Sequence, residues 1–153
     1  MPILHYGAEI WGHENAAQLE SVQLGYFKRL YGLHRMTHTQ FLKGDLGLWS
    51  LKSYRTVQMI KFWLWVVQLP SDRLLKAAYD ELLQLHRKRS WPFKVKEVLD
   101  KTGFSFAWND GLGPTSQQLQ LDKEIKLVLE DQTIQKRGEE IKNSETSRYY
   151  NEV

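Results

Sequence analysis

Seven lysine or arginine residues lie between Phe27 and Lys61, against one acidic residue, Asp45. Cations spaced along a chain in this way can contact the phosphates of a nucleic-acid backbone, and the release of condensed counterions makes such binding sensitive to salt. The alternative is a set of ordinary solvated helix faces and of cations that favour the C-terminal end of a helix dipole. Six of the seven are predicted to contact phosphates: Lys28, Arg29, Arg35, Lys43, Lys52 and Arg55.

Three aromatic residues, Tyr26, Phe27 and Tyr31, are interleaved with Lys28 and Arg29. Aromatic rings beside cations are typical of surfaces that stack on nucleic-acid bases. The same positions also fit the apolar stripe of a helix, so both interpretations stay open. We expect most of the six tryptophans to pack in the core.

The sequence lacks the patterns that carry catalysis or bind metals. Two-metal phosphoryl transfer requires convergent carboxylates, and the first 71 residues contain only four acidic residues. The chain has no cysteine, which excludes disulfides and thiolate ligands. His34 and His38 have no third ligand near them in the sequence, so we predict no metal site. Since the carboxylates and the cysteine that catalysis would use are also lacking, we predict no catalytic residue.

Composition indicates a folded intracellular polypeptide. The chain has 153 residues, of which 42% are hydrophobic and 12% aromatic, enough for the core of a typical domain. No basic region followed by a long apolar stretch marks a secretory signal at the N-terminus. The most apolar stretch, residues 59–69, is far shorter than the roughly 20 residues of a membrane span. We therefore predict no membrane segment and a location in the cytoplasm or nucleus.

Hydrophobic spacing predicts an all-α fold, an irregular bundle of about six to seven helices. Ser50 is expected to cap one helix that Pro70 ends, and Gly103 is expected to end another that Pro92 begins. In an earlier helix, an apolar stripe, the side of a helix that normally faces the core, is formed by Leu19, Val22, Tyr26 and Leu30. The predicted helices cover about residues 2–11, 15–31, 37–44, 50–69, 72–89, 92–102 and 116–143.

A polar, glycine-rich stretch near residue 110 is typical of a linker. We therefore divide the chain into a helical domain at residues 1–108, a linker at 109–115, and a C-terminal helix with its tail at 116–153. Ser116 is expected to cap that last helix.

Four sequence features occur in a particular order and spacing. They are Tyr6-Gly7-x-Glu9-x-Trp11-Gly12, the run Phe27-Lys28-Arg29-Leu30-Tyr31-Gly32-Leu33, Thr37, and Gly44-Asp45-Leu46-Gly47-Leu48-Trp49-Ser50-Leu51. Together they resemble the thumb and connector region that follows the polymerase palm in reverse transcriptases of non-LTR (LINE-type) retrotransposons. The resemblance implies structural roles for Tyr6, Gly7, Glu9, Trp11, Gly12, Gly44 and Gly47.

The resemblance also implies what the chain does and lacks. In such an enzyme the catalytic palm, which needs Mg²⁺, precedes this region, and a zinc-knuckle region often follows it. We therefore expect a non-catalytic middle portion of an RNA-directed DNA polymerase, with no cofactor of its own. Its expected partners are an RNA–DNA duplex, bound weakly through the template and primer backbones, and the missing parts of the parent polymerase. The alternative is an independent helical protein-interaction module derived from a mobile element. The oligomeric state stays open.

Overall fold

The chain folds into helices joined by loops and turns. The structure, a computed structural model, describes residues 5–15, 17–87, 89–109 and 115–143, and the side chains of all of these except 115–119 and 122. Within these ranges there is no strand, and the prediction of an all-α, multi-helix fold is confirmed. The eight helices described are α1 (Ala8–Trp11), α2 (Ala17–Leu30), α3 (Thr39–Asp45), α4 (Leu51–Val67), α5 (Leu74–Gln84), α6 (Trp91–Thr102), α7 (Phe106–Asn109) and α8 (Thr115–Lys142).

Helices α4 and α6 begin and end near the residues that the sequence indicated. The Ser50 hydroxyl caps α4 by accepting a hydrogen bond of 3.2 Å from the backbone N–H of Lys52, which the helix itself leaves without a partner. Pro70 follows shortly after α4, where its ring prevents continuation. Pro92 lies in the first turn of α6, and Gly103 caps the other end with a φ of 84°.

Helix α4 forms the centre of the core. Its Met59, Ile60, Trp63 and Val66 are at most 2% exposed. The Trp63 indole N–H donates a hydrogen bond of 2.9 Å to the hydroxyl of Tyr79 on α5, so the polar atom of this buried ring has a partner. The rest of the chain adds Val95, Leu99, Phe104, Ala107, Leu121, Ile125 and Leu129 to this core.

Helix α8 packs on the same core. Its Leu121, Ile125 and Leu129 are buried in the cluster centred on α4, and the hydroxyls of Thr133 and Ser53 lie 2.9 Å apart. The described part of α8 therefore shares one hydrophobic core with helices α4 to α7, and the division at residues 109–115 stays a prediction. Residues 110–114 of the predicted linker and the side chain of the predicted Ser116 cap lie outside the described residues.

Helix α2 differs most from the expectation. Leu24 is its one buried residue, whereas Val22, Tyr26 and Leu30 are each more than half exposed. The stripe of residues expected to face the core thus lies largely on the surface. A helical period predicts which residues share a face, but it does not identify the element that covers that face.

Two smaller differences concern α4 and α5. Trp65 is 51% exposed, because it lies two residues after the buried Trp63 and so points to the opposite side of α4. Helix α5 ends at Gln84, earlier than predicted. His86 then adopts a φ of 45°, a left-handed conformation that cannot continue a right-handed helix.

Candidate nucleic-acid interface

The residues predicted to contact phosphates fall into two groups. Four of them, Lys28, Arg29, Arg35 and Lys43, line one depression of about 530 Å³ beside α2, called here the basic depression. The first two come from the last turn of α2, Arg35 from the loop after it, and Lys43 from α3. The Lys28 ammonium donates a hydrogen bond of 2.8 Å to the carbonyl oxygen of Arg35. This bond holds the loop beside the helix.

An acidic residue, Glu20, lies at the edge of the basic depression. Its carboxylate accepts a hydrogen bond of 2.9 Å from the Lys43 ammonium and another of 2.9 Å from the Ser50 hydroxyl. Burial alone would raise the pKa of Glu20, but these hydrogen bonds and the charge of Lys43 outweigh it and lower the pKa. Glu20 therefore fixes one negative charge among the cations and joins α2 to α3 and to the start of α4.

Arg55 and Lys52 lie apart from this group. Lys52 is exposed at the start of α4. Arg55 is fully buried, with its guanidinium carbon 5.0 Å from the centroid of the Trp11 ring. The surface contact to phosphate predicted for Arg55 is therefore not available in this structure. The reason is tertiary: α1 covers the side of α4 that carries Arg55.

The buried guanidinium of Arg55 has no hydrogen-bond partner for any of its three nitrogens. Its position over the indole of Trp11 offers a cation–π contact in place of water. Burial lowers the pKa of Arg55, and the negative charge of Glu20 opposes that change. An ionised group held in this way is costly to the folded state, because its lost hydration is only partly replaced.

The three aromatic residues of the predicted stacking set form a continuous group on α2 and the turn after it. The Tyr26 and Phe27 rings meet edge to face with centroids 5.6 Å apart, and Phe27 stacks on Tyr31 at 6.4 Å. Tyr26 and Tyr31 are 51% and 55% exposed, and Phe27 is partly buried. Both tyrosine rings are thus accessible beside Lys28 and Arg29.

The first group of motif residues makes structural contacts around α1. The Trp11 indole N–H donates to the carbonyl oxygen of Tyr6 at 3.1 Å, and Trp91 donates to the carbonyl oxygen of Glu9 at 2.9 Å. Gly7 precedes α1 with a φ of 71°, a region that glycine adopts without the usual Cβ clash. Residues 1–4, including the start of the predicted first helix, lie outside the described residues.

Gly12 allows α1 and α4 to approach each other closely. A Cβ atom there would lie 2.6 Å from the Ala8 carbonyl oxygen and closer still to that of Arg55. Side chains larger than hydrogen are therefore excluded by backbone atoms that belong to two different helices.

Gly44 lies in the last turn of α3, and Gly47 lies in the turn that joins α3 to α4. The Gly47 N–H donates to the Gly44 carbonyl oxygen at 3.0 Å. The next residue, Leu48, accepts a hydrogen bond of 3.0 Å on its carbonyl oxygen from Arg137 of α8. The turn is thus fastened to α8 by a side chain far away in the sequence.

A second opening, called here the polar cleft, lies between α3, α4 and α8. Its volume is about 390 Å³, and its lining includes Lys43, Lys52, Ser53, Thr133, Lys136 and Arg137. Lys136 and Arg137 were not among the predicted site residues. The adjacent basic pair was visible in the sequence, but only the packing of α8 on α4 brings it to the same surface as Lys43.

The described residues show neither a metal cluster nor a membrane helix. No group of three or more His, Cys, Asp or Glu side chains in this part of the chain could hold a metal ion. His34 accepts a hydrogen bond from the backbone N–H of Met36 at 3.2 Å. In the same ranges, every helix is either too short or too polar to cross a bilayer.

Comparisons of this chain with protein-family models, with curated proteins and with solved structures found no match.

Proposed function

We propose that this chain is a non-catalytic segment of a non-LTR retrotransposon reverse transcriptase that binds the backbone of an RNA–DNA duplex weakly and without sequence preference. The observation that carries the proposal is the basic depression, where Lys28, Arg29, Arg35 and Lys43 converge from two helices and a loop. The resemblance of the four motifs to the thumb and connector of such enzymes supports the same assignment. Arg55 has no part in it.

The chemistry of the basic depression suits phosphates better than bases. Lysine and arginine side chains placed along a helix end and a loop can neutralise successive phosphates, and such contacts position a duplex without reading its sequence. Tyr26 and Tyr31 beside them can stack only on bases that are already unpaired, since the faces of paired bases are covered by their neighbours. The cations are therefore proposed to bind the duplex backbone, and Tyr26 and Tyr31 to stack on unpaired bases at the end of a strand.

The test is the salt dependence of binding to a fluorescent 20-base-pair RNA–DNA hybrid, followed by anisotropy. The wild type is compared with a variant in which Lys28, Arg29, Arg35 and Lys43 are replaced by Gln. A matched control replaces four cations that do not line the basic depression, namely Arg73, Lys96, Lys101 and Lys123. Both variants change the net charge equally, and thermal unfolding verifies that both fold.

We expect wild-type affinity to fall steeply with salt, because each phosphate contact contributes about 0.9 to the slope of log K against log salt. The first variant should lose up to roughly 3 to 4 of that slope, whereas the control should keep most of it. Equal losses of slope in the two variants would mean that binding depends only on the net charge of the chain, and the basic depression would then not be a binding site.

A second function is favoured by one observation on the same helix. Val22 and Leu30 of α2 are 58% and 59% exposed, and exposed apolar residues on one helix face are typical of a surface that binds another protein. An independent helical interaction module would use this face to bind an apolar helix of a partner. Replacing Val22 and Leu30 by Ser would then abolish capture of that partner, while leaving duplex binding unchanged.

A further inference from the structure

The polar cleft and the basic depression are adjoining parts of one surface. Glu20 and Lys43 line both of them, so a ligand that follows the cations of α2 and α3 meets the opening of the cleft at Lys43. Helix α8 forms the far side of that opening through Lys136 and Arg137. The surface thus extends from residue 28 to residue 137 of the chain, although α2 and α8 are distant in sequence.

Positive charge is concentrated on this combined surface. Besides the four cations of the basic depression it carries Lys52, Lys136 and Arg137, against the two carboxylates of Glu20 and Glu140. Seven cations less two carboxylates leave a formal surplus of five positive charges, whereas the whole chain has a net charge of +3. The rest of the sequence therefore has a negative formal charge, and the combined surface attracts an anionic polymer.

The lining of the polar cleft is hydrophilic beyond its charges. The Ser53 and Thr133 hydroxyls lie 2.9 Å apart, and the Gln40 amide donates to the Glu140 carboxylate. Leu129 is the only apolar side chain among the described lining residues. Such a surface suits a hydrated, charged ligand, since an apolar ligand would leave these polar groups without partners.

Lys136 and Arg137 both have capacity for a phosphate. The Lys136 ammonium lies 3.8 Å from Glu140 and its side chain is 77% exposed, so this ion pair is long and weak. Arg137 uses one nitrogen for its bond to Leu48, while a guanidinium carries five N–H donors. The bond to Leu48 orients the side chain and leaves donors for a second acceptor.

We infer that Lys136 and Arg137, together with Lys52, form a further phosphate-binding site in the polar cleft, which extends the track of the nucleic-acid backbone from α2 across Lys43 to α8. The inference rests on the proposed duplex-binding function and adds a second contact region to it. It commits the cleft to one occupant, a sugar-phosphate backbone that continues from the basic depression.

The experiment measures binding of the full chain to the same 20-base-pair hybrid at several salt concentrations. The test variant is Lys136→Gln with Arg137→Gln, and the matched control is Lys123→Gln with Lys142→Gln, two cations of the same helix that do not line the polar cleft. A third variant, Lys136→Arg with Arg137→Lys, keeps both charges but changes the groups that carry them. Thermal unfolding accompanies each measurement, because the Gln variant also loses the bond to Leu48.

We expect the test variant to bind about tenfold more weakly at 0.1 M salt and to lose roughly 2 from the slope of log K against log salt. The control should stay within about twofold of the wild type, and the charge-conserving variant should retain most of the affinity. Retention of affinity in that third variant would show that binding depends on the two charges and not on the particular groups that carry them.

Two results would overturn the inference, and they differ from each other. If the test variant binds like the wild type while the four-residue variant of the basic depression loses binding, the proposed function stands and the site on α8 is refuted. If the wild type shows no salt-sensitive binding at all, the proposed function fails and the inference fails with it.

Discussion

Helices α2 and α4 share a sequence pattern but differ in how much of each helix is buried. Both combine apolar residues at helical spacing with cations, two in α2 and three in α4. In α4, ten residues are buried, whereas in α2 only Leu24 is. Among the described residues, α4 supplies seven of the 18 buried hydrophobic side chains, more than any other helix, and such burial is what stabilises the fold. Helix α2 is held at its edge, where Glu20 meets Lys43 and Ser50.

The residues that stabilise the fold and those proposed to bind a ligand thus lie largely on different helices. Arg29 and Arg35 are exposed, so replacing them removes little buried area and should affect ligand binding more than folding. Lys43 is the exception, because its side chain is only 15% exposed and is paired with Glu20. Arg55 of α4 is the opposite case, because its charge is buried against Trp11 of α1. The same residue type thus has a different role on each helix, and variants of each region test the separation.

The largest expected effect concerns whether α8 belongs with α4. Ile125 is fully buried, whereas Leu127 on the same helix is 57% exposed. We expect Ile125→Ala to lower the free energy of unfolding by about 2 to 5 kcal/mol through the lost contacts and the cavity left behind. Leu127→Ala should change it by less than about 0.5 kcal/mol. Denaturant unfolding of both variants measures this. Similarly small changes in the free energy of unfolding in both variants would show that α8 does not share the core of α4.

The next effect tests the contact between α1 and α4. We expect Gly12→Ala to destabilise the chain by about 2 kcal/mol or more, since the new methyl group overlaps the backbone carbonyl oxygens of Ala8 and Arg55. Gly25 in α2 is the control, because a Cβ atom there meets nothing within 4 Å. Gly25→Ala should stabilise by roughly 0.5 to 1 kcal/mol through helix propensity. If both variants unfold at the same denaturant concentration as the wild type, α1 is not fixed on α4.

Much of the fold could be predicted because its signals are local. Ser50, Pro92 and Gly103 define helix ends through capping and backbone conformation, which act within a few residues. The exposure of Val22 could not be predicted, because it depends on which elements α2 packs against. An apolar helix face is covered either by another element of the same fold or by a binding partner, and only the tertiary structure distinguishes the two.

The candidate site shows the same division. Lys28 and Lys43 were identified from charge spacing, and the structure brings them to one depression. Arg55 was assigned to the same surface because the sequence gives its charge but not its burial. Lys136 and Arg137 were missed, since a basic pair in a long polar helix is usually solvated. Their position beside Lys43 follows from the packing of α8, which long-range contacts determine.

The smallest expected effect tests the interior cation itself. Arg55→Met keeps a long side chain beside the Trp11 ring, where a thioether packs favourably, and it removes a buried charge that has no hydrogen-bond partner. We expect the free energy of unfolding to rise by about 1 kcal/mol, as when buried charges are replaced by apolar groups of similar volume. Affinity for the RNA–DNA hybrid should stay within about twofold of the wild type, since α1 shields this charge from any ligand. Arg55→Ala serves as the control, because it removes the charge but leaves a cavity and should destabilise. A loss of affinity in Arg55→Met with no change in stability would mean that the guanidinium reaches the ligand, and the separation between the two helices would fail at this residue.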